Sequence, residues 1–427
     1  MATFTVKPKE RINHTLTVPG DKSITHRSVM LLSLSEGNSI ISNYLKADDT
    51  NRTITAFKNM GVNITEISDD KLLVEGVGIK GLKAPHCAID AGNSGTTIRL
   101  LSGILAGQNF SCEIFGDESL SKRPMKRIIE PLRLMGVEIS AKDDQYPPLK
   151  IKGNPDLKPI KYTMPVASAQ VKSCIIFAGM QAKGETHVIE PAPSRDHTEK
   201  MLKYLGAKID VYENKITIEG PTTLKAKDIH VPGDISSASY FLVAGLLVPN
   251  SEIEIKNVGF NKYRIGFLQI LSKMGANIQI KNIENVCNET VVDIVASSSE
   301  LHGLSVDQNL IPSMIDEIPL LVLVATQAKG TTIISGAEEL RVKESDRIKT
   351  ITTELNKMGA KITELTDGFV IEGKTLLHGA EVYSYNDHRV AMTLAIAGLI
   401  ADGETKINNS ECVNISFPGF WEILEKI

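Results

Sequence analysis

Charged and hydroxyl side chains gather in short clusters at the start of apolar segments rich in small residues. The clusters are Asp21-Lys22-Ser23 with His26-Arg27, Asn93 to Thr97 with Arg99, Ser168-Ala169-Gln170, Ser194 to His197, Asp316-Glu317 and Asn386 to Arg389. The first turn of a helix presents unpaired N–H groups and the positive end of the dipole, so each predicted helix start suits an anion. Capping explains serine, asparagine and aspartate there, but a cation is disfavoured at that end. The four cations at these starts therefore indicate, as a set, anion binding, although each alone could be a solvated charge: Lys22, Arg27, Arg195 and Arg389.

Two basic stretches strengthen this pattern, one from Lys122 to Arg127 and one from Arg341 to Arg347. On a helix, Lys343 and Arg347 would share one face at i and i+4, with Glu344 beside them. That face would bind an anion and keep a carboxylate available as a proton carrier, although an exposed salt-bridged helix would show the same spacing. Because the net charge of the chain is -4, such local basicity indicates a small polyanionic ligand. The planar fork of arginine suits phosphate and carboxylate equally.

The elements that must hold these clusters repeat along the chain. The pattern apolar-x-x-(Met/Leu)-Gly-(Val/Ala)-x-Ile occurs five times, at Phe57–Ile64, Leu132–Ile139, Leu202–Ile209, Leu271–Ile278 and Leu355–Ile362. Each copy predicts the last turn of an amphipathic helix, a left-handed glycine that ends it, and the start of a strand. A sixth copy at the C-terminus, WEILEKI, stops short of the glycine.

A second kind of helix alternates with the first. It is apolar nearly all round, as in MTLAIAGLIA, and should therefore be buried. The two kinds together form six units of about 70 residues, which is longer than a solenoid repeat. V-P-G-D-x-S occurs at Val18 and again at Val231, which indicates duplication rather than chance in a common turn.

The sequence thus predicts an α/β fold of two similar three-unit domains. We expect one domain at 21–228 and the other at 1–20 with 229–427. The chain would cross between them near 18–21 and 228–233, and two crossings form a natural hinge.

Composition narrows the class of protein. The length of 427 residues, with 42% hydrophobic and 23% charged residues, is typical of a globular protein of several domains, and the slight net negative charge disfavours nucleic-acid binding. The five cysteines are scattered, so they indicate neither a metal site nor a disulfide framework. We expect a cytoplasmic location and no membrane association, since the sequence shows no signal-peptide pattern and no long apolar run. The common phosphate-loop, dinucleotide, hydrolase and zinc-protease motifs are missing from the sequence.

Seven short motifs occur in order along the whole chain: P-G-D-K-S-x-x-x-R from Pro19, G-N-S-G-T from Gly92, R-P at Arg123, S-A-Q from Ser168, S-R-D-H-T from Ser194, R-V-K-E-S-D-R from Arg341 and Y-N-D-H-R from Tyr385. With these motifs the sequence resembles the 5-enolpyruvylshikimate-3-phosphate synthase family. The S-A-Q and S-R-D-H-T forms resemble the class II variants, which are associated with reduced glyphosate sensitivity.

The resemblance implies a fold and a reaction. The family fold has two domains, each of three β-α-β-α-β-β modules, and is also described as an inverse α/β barrel. The family transfers the enolpyruvyl group of phosphoenolpyruvate to the 5-hydroxyl of shikimate 3-phosphate in the shikimate pathway and releases phosphate through a tetrahedral adduct. It uses no metal and no organic cofactor. We expect a monomer whose partners are these two small molecules.

The resemblance also implies residue roles. Shikimate 3-phosphate would be bound by Lys22, Ser23, Arg27, Ser168, Ala169, Gln170, Arg195, Asp316 and Lys343. Phosphoenolpyruvate would be bound by Lys22, Asn93, Gly95, Arg123, Gln170, Arg347 and Arg389. The catalytic set would be Lys22, Asp316, Glu344 and His388. Asp316 is interpreted as the base toward the 5-hydroxyl, and the proton donor to the methylene carbon is either Glu344 or Lys22.

Two departures and two alternatives accompany this interpretation. A lysine that many relatives carry shortly before the C-terminal F-P is absent from Val413 to Pro418, and an aromatic residue usual near Asp196-His197 is replaced. The nearest alternative is the enolpyruvyl transferase that acts on UDP-N-acetylglucosamine, which carries a loop cysteine before its R-P. Here Cys112 lies earlier, in a predicted strand, as a small buried hydrophobe. The other alternative is a non-catalytic anion-binding protein, which loss of Asp316 or Glu344 would have favoured.

Overall fold

Short strands and helices alternate along the chain in the computed structural model, which describes residues 2–427. Up to residue 231 the elements are β1 Thr3–Val6, β2 Asn13–Thr17, α1 Lys22–Ser33, β3 Ser35–Ser42, α2 Asp48–Asn59, β4 Asn63–Ser68, β5 Lys71–Val77, β6 Ile89–Asp90, α3 Gly95–Ala106, β7 Ser111–Phe115, α4 Lys126–Leu134, β8 Glu138–Lys142, β9 Tyr146–Lys152, β10 Lys161–Thr163, α5 Ala169–Gly179, β11 Gly184–Ile189, α6 His197–Tyr204, β12 Ile209–Tyr212, β13 Lys215–Gly220, β14 Leu224–Lys225 and β15 Ile229–His230.

The remaining elements complete the chain. They are α7 Ile235–Leu247, β16 Glu252–Gly259, α8 Gly266–Lys273, β17 Asn277–Val286, β18 Glu289–Ser297, α9 Ile311–Met314, α10 Ile318–Gln327, β19 Gly330–Ile334, α11 Arg347–Lys357, β20 Lys361–Leu365, β21 Gly368–Gly373, β22 Glu381–Tyr383, α12 His388–Ile400, β23 Thr405–Asn408 and α13 Phe420–Lys426. Short 3-10 helices lie at Leu120–Lys122, Gln308–Leu310, Glu338–Val342 and Ser410–Ile415.

Residue contacts divide the chain into two compact units. The inner unit comprises Gly20–Val231 and Val286–Glu289, and the terminal unit comprises 2–19, Pro232–Asn285 and Thr290–Ile427. Each unit has its own hydrophobic core.

Three sheets form the inner unit. Two belong to complete β-α-β-α-β-β modules, with strand orders β6-β7-β9-β8 and β10-β11-β13-β12. The third sheet has the order β14-β3-β5-β4, with β15 also paired to β3. Its module begins directly with α1, so the strands beside β3 come from the far end of the unit. In this module β14 and β15, which follow the other two modules in the sequence, take the place of the missing first strand.

Three sheets also form the terminal unit, with orders β17-β18-β16-β2, β19-β21-β20 and β1-β23-β22. The N-terminal segment forms two separate strands, because β2 pairs with β16 and β1 pairs with β23. Isolated parallel bridges, such as Ser305 to Ile333, replace the first strand of the β19 module. The last module ends in a 3-10 helix and α13. The predicted α/β architecture of two similar three-module domains is confirmed, with these local departures.

The apolar helices lie in the cores, as predicted. In the inner unit α3 packs against α5 and α1, and in the terminal unit α7, α10 and α12 pack against one another. The backbones of α3 and α5 approach so closely that only a glycine fits at position 103. A Cβ added at Gly103 would lie 2.1 Å from the carbonyl oxygen of Cys174 on α5. These helices can be buried on nearly all sides because most of their side chains are apolar and the few charged ones have protein partners. Their charged side chains lie within the first two helical turns.

The helix-glycine-strand pattern is confirmed at all five predicted copies. The glycines that end these helices have φ between 87° and 97°: Gly61, Gly136, Gly206, Gly275 and Gly359. A side chain with a Cβ is strained in this region, which explains the residue type.

Within residues 2–427, no single helix is long and apolar enough to cross a membrane. The segments Gln308–Met314 and Ile318–Gln327 reach that length and apolarity only together, across a bend of 117°.

Candidate active site

The start of α1 places Lys22 and Ser23 at one edge of the inner unit. Asp21 caps the helix by accepting a hydrogen bond of 2.8 Å from the backbone N–H of Ile24. Lys22 is the first helical residue, and its Nζ lies 3.1 Å from Oδ2 of Asp49. The Lys22 side chain is 19% exposed, so its ammonium can reach a ligand at the surface of the unit. The partner carboxylate offsets the unfavourable placement of a cation at a helix start.

Arg27, one turn further along α1, is 3% exposed and binds three parts of the inner unit. Its Nε donates to Oγ1 of Thr198 at 2.7 Å, and its Nη2 donates to Oγ of Ser173 at 2.9 Å. Its Nη1 donates to the carbonyl oxygen of Ser23 at 3.0 Å. Arg27 therefore joins α1 to α5 and α6, which is a structural role that the motif alone did not indicate.

The start of α3 brings four of the predicted residues into one network. Arg123, 8% exposed, donates from Nη2 to Oδ1 of Asn93 at 2.6 Å, while Ser94 caps the helix and Gly95 begins it. Arg99 connects Gln170 to this helix start, because its Nη1 donates a hydrogen bond of 2.7 Å to Oε1 of Gln170. The Nε2 of Gln170 donates in turn to the Thr96 hydroxyl at 3.0 Å.

The family resemblance gave no role to Arg99 or Thr96, although both lie in the polar cluster at this helix start. The signal was available, because Arg99 lies four residues after Gly95 and so faces the same side of α3.

The starts of α5 and α6 differ in kind. Ser168 caps the buried helix α5 and precedes Ala169 and Gln170. Arg195 lies in the loop before α6 and is half-buried. Contrary to our prediction, α6 is not one of the apolar buried helices. It is the partly exposed helix of its module, since its Lys200 and Lys203 side chains reach solvent.

A hairpin tip that belongs to the inner unit anchors α6. Oε1 of Glu289 lies 2.7 Å from Nδ1 of His197, and Oε2 lies 3.0 Å from Nζ of Lys200. Burial alone would raise the pKa of Glu289, but these two partners lower it from 4.5 to about 2. The ionised Glu289 carboxylate therefore stabilises the folded state.

Glu289 should make the free energy of unfolding depend on pH in the acidic range. Because its pKa is lower in the folded state, its contribution of about 3 kcal/mol is present above pH 4.5 and is lost as the pH falls toward 2. We expect the Glu289→Gln variant to be less stable than the wild type at pH 7 and to approach it at pH 3. Urea unfolding at both pH values measures this difference. An equal difference at both would contradict the role.

In the terminal unit, Arg347 is the centre of a buried charge cluster. Its side chain is 2% exposed, and Nε lies 2.8 Å from Oδ2 of Asp387. Nη2 lies 2.7 Å from Oε2 of Glu344, and Nη1 lies 3.6 Å from Oδ1 of Asp316. Burial would lower the pKa of Arg347, but the three carboxylates outweigh this effect and raise the pKa above its ordinary value. The guanidinium therefore stays charged. The structure therefore brings together the predicted residues Asp316, Glu344 and Arg347.

Arg389 lies at the start of α12 and is 6% exposed. Asp387 caps this helix by accepting a hydrogen bond of 2.9 Å from the Arg389 backbone N–H. The Arg389 Nη1 lies 3.9 Å from Oε1 of Glu317. Burial lowers the pKa of Arg389, but Tyr240 and the nearby carboxylates raise it above its ordinary value. His388, the first residue of α12, is 2% exposed.

The family resemblance gave no role to Asp387 or Glu317, although both lie in polar clusters at predicted helix starts. Asp387 both caps α12 and holds Arg347, so one buried carboxylate fixes two predicted ligand residues. Its place inside the Y-N-D-H-R motif was the available signal, whereas nothing in the local spacing pairs Glu317 with Arg389.

The predicted helix face formed by Lys343 and Arg347 is wrong. A 3-10 helix ends at Val342, Lys343 is extended with φ -83° and ψ -153°, and α11 begins only at Arg347. The reason is Asp346, which takes the non-helical N-cap conformation and accepts a hydrogen bond of 3.1 Å from the Lys349 backbone N–H. The Lys343 Nζ lies 3.5 Å from Oε1 of Glu339 instead.

Cys112 lies in β7 and is buried, as predicted. Burial raises the pKa of its thiol to about 12, so the group stays protonated. A buried, protonated thiol is a packing residue rather than a nucleophile.

Comparison with solved structures gives the class of protein. The fold matches EPSP synthase from Acinetobacter baumannii with a TM-score of 0.89 and 42% identity over 99% of this chain and 98% of that one. The two three-module units, with buried cations at their helix starts, are therefore those of an enolpyruvyl transferase.

Sequence comparison gives the family. The profile of EPSP synthase (3-phosphoshikimate 1-carboxyvinyltransferase) matches residues 6–424. The 3-phosphoshikimate 1-carboxyvinyltransferase of Endomicrobium trichonymphae is 53% identical over 99% of both chains. That of Petrotoga mobilis is 51% identical over 99% of this chain and 98% of its own. The chain belongs to the EPSP synthase family, and the resemblance seen in the sequence motifs is confirmed.

Proposed function

We propose that the chain transfers the enolpyruvyl group of phosphoenolpyruvate to the 5-hydroxyl of shikimate 3-phosphate. The hydroxyl oxygen bonds to C2 of phosphoenolpyruvate while C3 gains a proton, which gives a tetrahedral adduct. Loss of a proton from C3 and of inorganic phosphate from C2 then forms the enol ether. The reaction belongs to the shikimate pathway of aromatic amino acid biosynthesis.

The observation that carries this proposal is the Arg347 cluster. A buried guanidinium that contacts Asp316 and Glu344 combines a fixed positive charge with two carboxylates able to move protons. Both substrates are anions, so preorganised cations offset their repulsion and stabilise charge that develops on the phosphate leaving group. A plain anion-binding site would use the carboxylates only to compensate its buried cations, whereas this reaction also needs them to move protons.

The residue roles follow the family motifs. For shikimate 3-phosphate we assign the start of α1, the start of α5, Arg195, Asp316 and Lys343. For phosphoenolpyruvate we assign the network at the start of α3 with Arg123, together with Arg347 and Arg389, and Lys22 serves both substrates. The Arg123–Asn93 contact of 2.6 Å and the Arg99–Gln170 contact of 2.7 Å support this grouping, because they hold the proposed ligand groups in fixed positions.

Proton transfer needs a base for the hydroxyl and an acid for the methylene carbon. We assign Asp316 as the base, and the acid is Glu344 or Lys22. His388 remains in the proposed catalytic set because it precedes Arg389 at the start of α12. Comparing solvent proton incorporation at C3 in Glu344→Gln and Lys22→Met distinguishes the two donors.

Phosphate release on mixing the two substrates is the test of the proposed function. We expect phosphate only when both substrates are present, and none when shikimate replaces shikimate 3-phosphate. Release with UDP-N-acetylglucosamine as the acceptor would favour the other enolpyruvyl transferase activity. Binding of both substrates without release would favour the non-catalytic protein.

Gly95→Ala should weaken phosphoenolpyruvate and glyphosate together. A Cβ at this position would lie 2.9 Å from Nη1 of Arg99 and 3.5 Å from Nη1 of Arg123, so the flexible end of the Arg99 side chain would have to shift. The added methyl group would occupy space that we assign to the ligand, which costs binding on the order of 1–3 kcal/mol, and we expect KM for phosphoenolpyruvate and Ki for glyphosate to rise about tenfold or more. Steady-state inhibition curves measure both, with the unfolding midpoint as the control. Unchanged constants would place Gly95 away from the ligand.

Three further expectations remain proposals: a cytoplasmic location, a monomeric state, and a hinge at the two chain crossings. Scattering with and without shikimate 3-phosphate tests the hinge through the radius of gyration.

A further inference from the structure

We propose that Lys172 is a positioning residue for the shikimate 3-phosphate ligands of the inner unit, an inference that rests on the proposed function. Lys172 lies in α5 and is 1% exposed. Its Nζ lies 2.9 Å from Oε2 of Glu190 and 2.7 Å from Oε1 of Glu199. Lys172 itself does not reach the surface, so it acts through its neighbours.

The third contact of Lys172 links it to the proposed ligand loop. Its Nζ donates to the carbonyl oxygen of Ser194 at 3.2 Å, and Ser194 is followed directly by Arg195. The Ser194 hydroxyl also donates to Glu190. The loop that carries Arg195 is therefore held through its backbone and a side chain by one buried ammonium and its carboxylate partner.

The same contacts fix α6 against α5. Glu199 lies in the first turn of α6, and the preceding residue, Thr198, contacts the Ser173 hydroxyl at 2.7 Å. Arg27 donates to both of these hydroxyls. A displacement of α6 would thus move Arg27 and the Arg195 loop together relative to Ser168 to Gln170 at the start of α5.

Stability is a poor explanation for this cluster. Burial of three ionisable side chains is costly, and apolar residues of similar volume often stabilise a fold as well or better. Oε2 of Glu199 is buried without a hydrogen-bond partner, which adds to that cost. Directional contacts from one ammonium to three groups do, however, restrict the geometry of the loop.

The test uses a triple variant, Lys172→Met/Glu190→Gln/Glu199→Gln, which removes every charge and leaves none unpaired. We expect Kd for shikimate 3-phosphate, measured by calorimetry, to rise about tenfold or more because the ligand groups lose their fixed positions. We expect KM for phosphoenolpyruvate at saturating shikimate 3-phosphate to change less than about threefold, since Arg123 and its network lie outside the cluster. Ser194→Ala, a milder change, should raise the same Kd by about threefold through loss of one hydrogen bond.

Leu149→Ala is the control, because this fully buried β9 residue lowers stability without touching the cluster. The triple variant and Leu149→Ala are compared at an equal loss of stability. If both variants weaken the binding of the two substrates to the same extent, the role of Lys172 is structural and the proposal is overturned. If the triple variant does not fold, an unchanged Kd in Ser194→Ala overturns it. Phosphate release by the wild type distinguishes the two proposals. If the proposed function is wrong, the wild type releases no phosphate, whereas failure of the Lys172 proposal alone leaves that release intact.

Discussion

Lys22→Met is expected to lower kcat by about a hundredfold to a thousandfold, the size found when a preorganised group that stabilises the transition state is removed. Lys22 begins α1 and its side chain retains 19% exposure beside Asp49, so its ammonium is accessible to a ligand. The proposed role places this charge on both substrates. Its loss therefore removes stabilisation from the phosphate that leaves as well as from the acceptor. Stopped-flow or steady-state phosphate release measures the change.

The matched control for this prediction is Lys183→Met. Lys183 is 81% exposed and lies 3.4 Å from Asp156 at the surface of the same unit, so the same substitution there removes only a solvated ion pair. We expect it to leave kcat unchanged. A loss of less than tenfold in Lys22→Met would show that the two-substrate role is wrong.

Asp316→Ala is expected to lower kcat by about a hundredfold to ten-thousandfold while Kd for shikimate 3-phosphate changes far less, because a general base acts mainly in the transition state. The fold should tolerate the change. Arg347, which lies 3.6 Å from Asp316, keeps its closer partners Asp387 and Glu344. The remaining carboxylates also keep the Arg347 cation compensated.

Asp316→Asn is the companion variant, since it keeps the size of the side chain and removes its basicity. We expect it to lose as much rate as the alanine variant, whereas a positioning residue would be largely rescued by the amide. Comparison of kcat with the calorimetric Kd decides the role. Equal losses in rate and in binding would reassign Asp316 to substrate positioning.

Local features could be predicted from the sequence. The helix ends at the five repeated glycines, the six buried helices and the capping residues Asp21, Ser94, Ser168 and Asp387 each depend on a few neighbours in the chain. Periodicity and capping act over one or two turns, so they can be read from spacing. The motifs that place cations at helix starts lie within the same range.

The failures of prediction have two causes, one local and one long-range. The Lys343–Arg347 helix face was wrong because Asp346 caps α11, and a helix pattern cannot continue through an N-cap residue. The strand pairing of β1 and β2 with different sheets was missed because their partners lie hundreds of residues away.

The sequence by itself determined the family and the modules, and it predicted the ligand residues that we propose. Only the tertiary structure decided which buried carboxylate compensates which buried cation. Arg347 meets Asp387 from 40 positions away, and Arg27 meets Thr198 across 171 positions. Such partners are chosen by how helices from different modules pack, because a buried charge must find an opposite charge or hydrogen-bond partner wherever the fold provides one. No spacing along the chain encodes that choice.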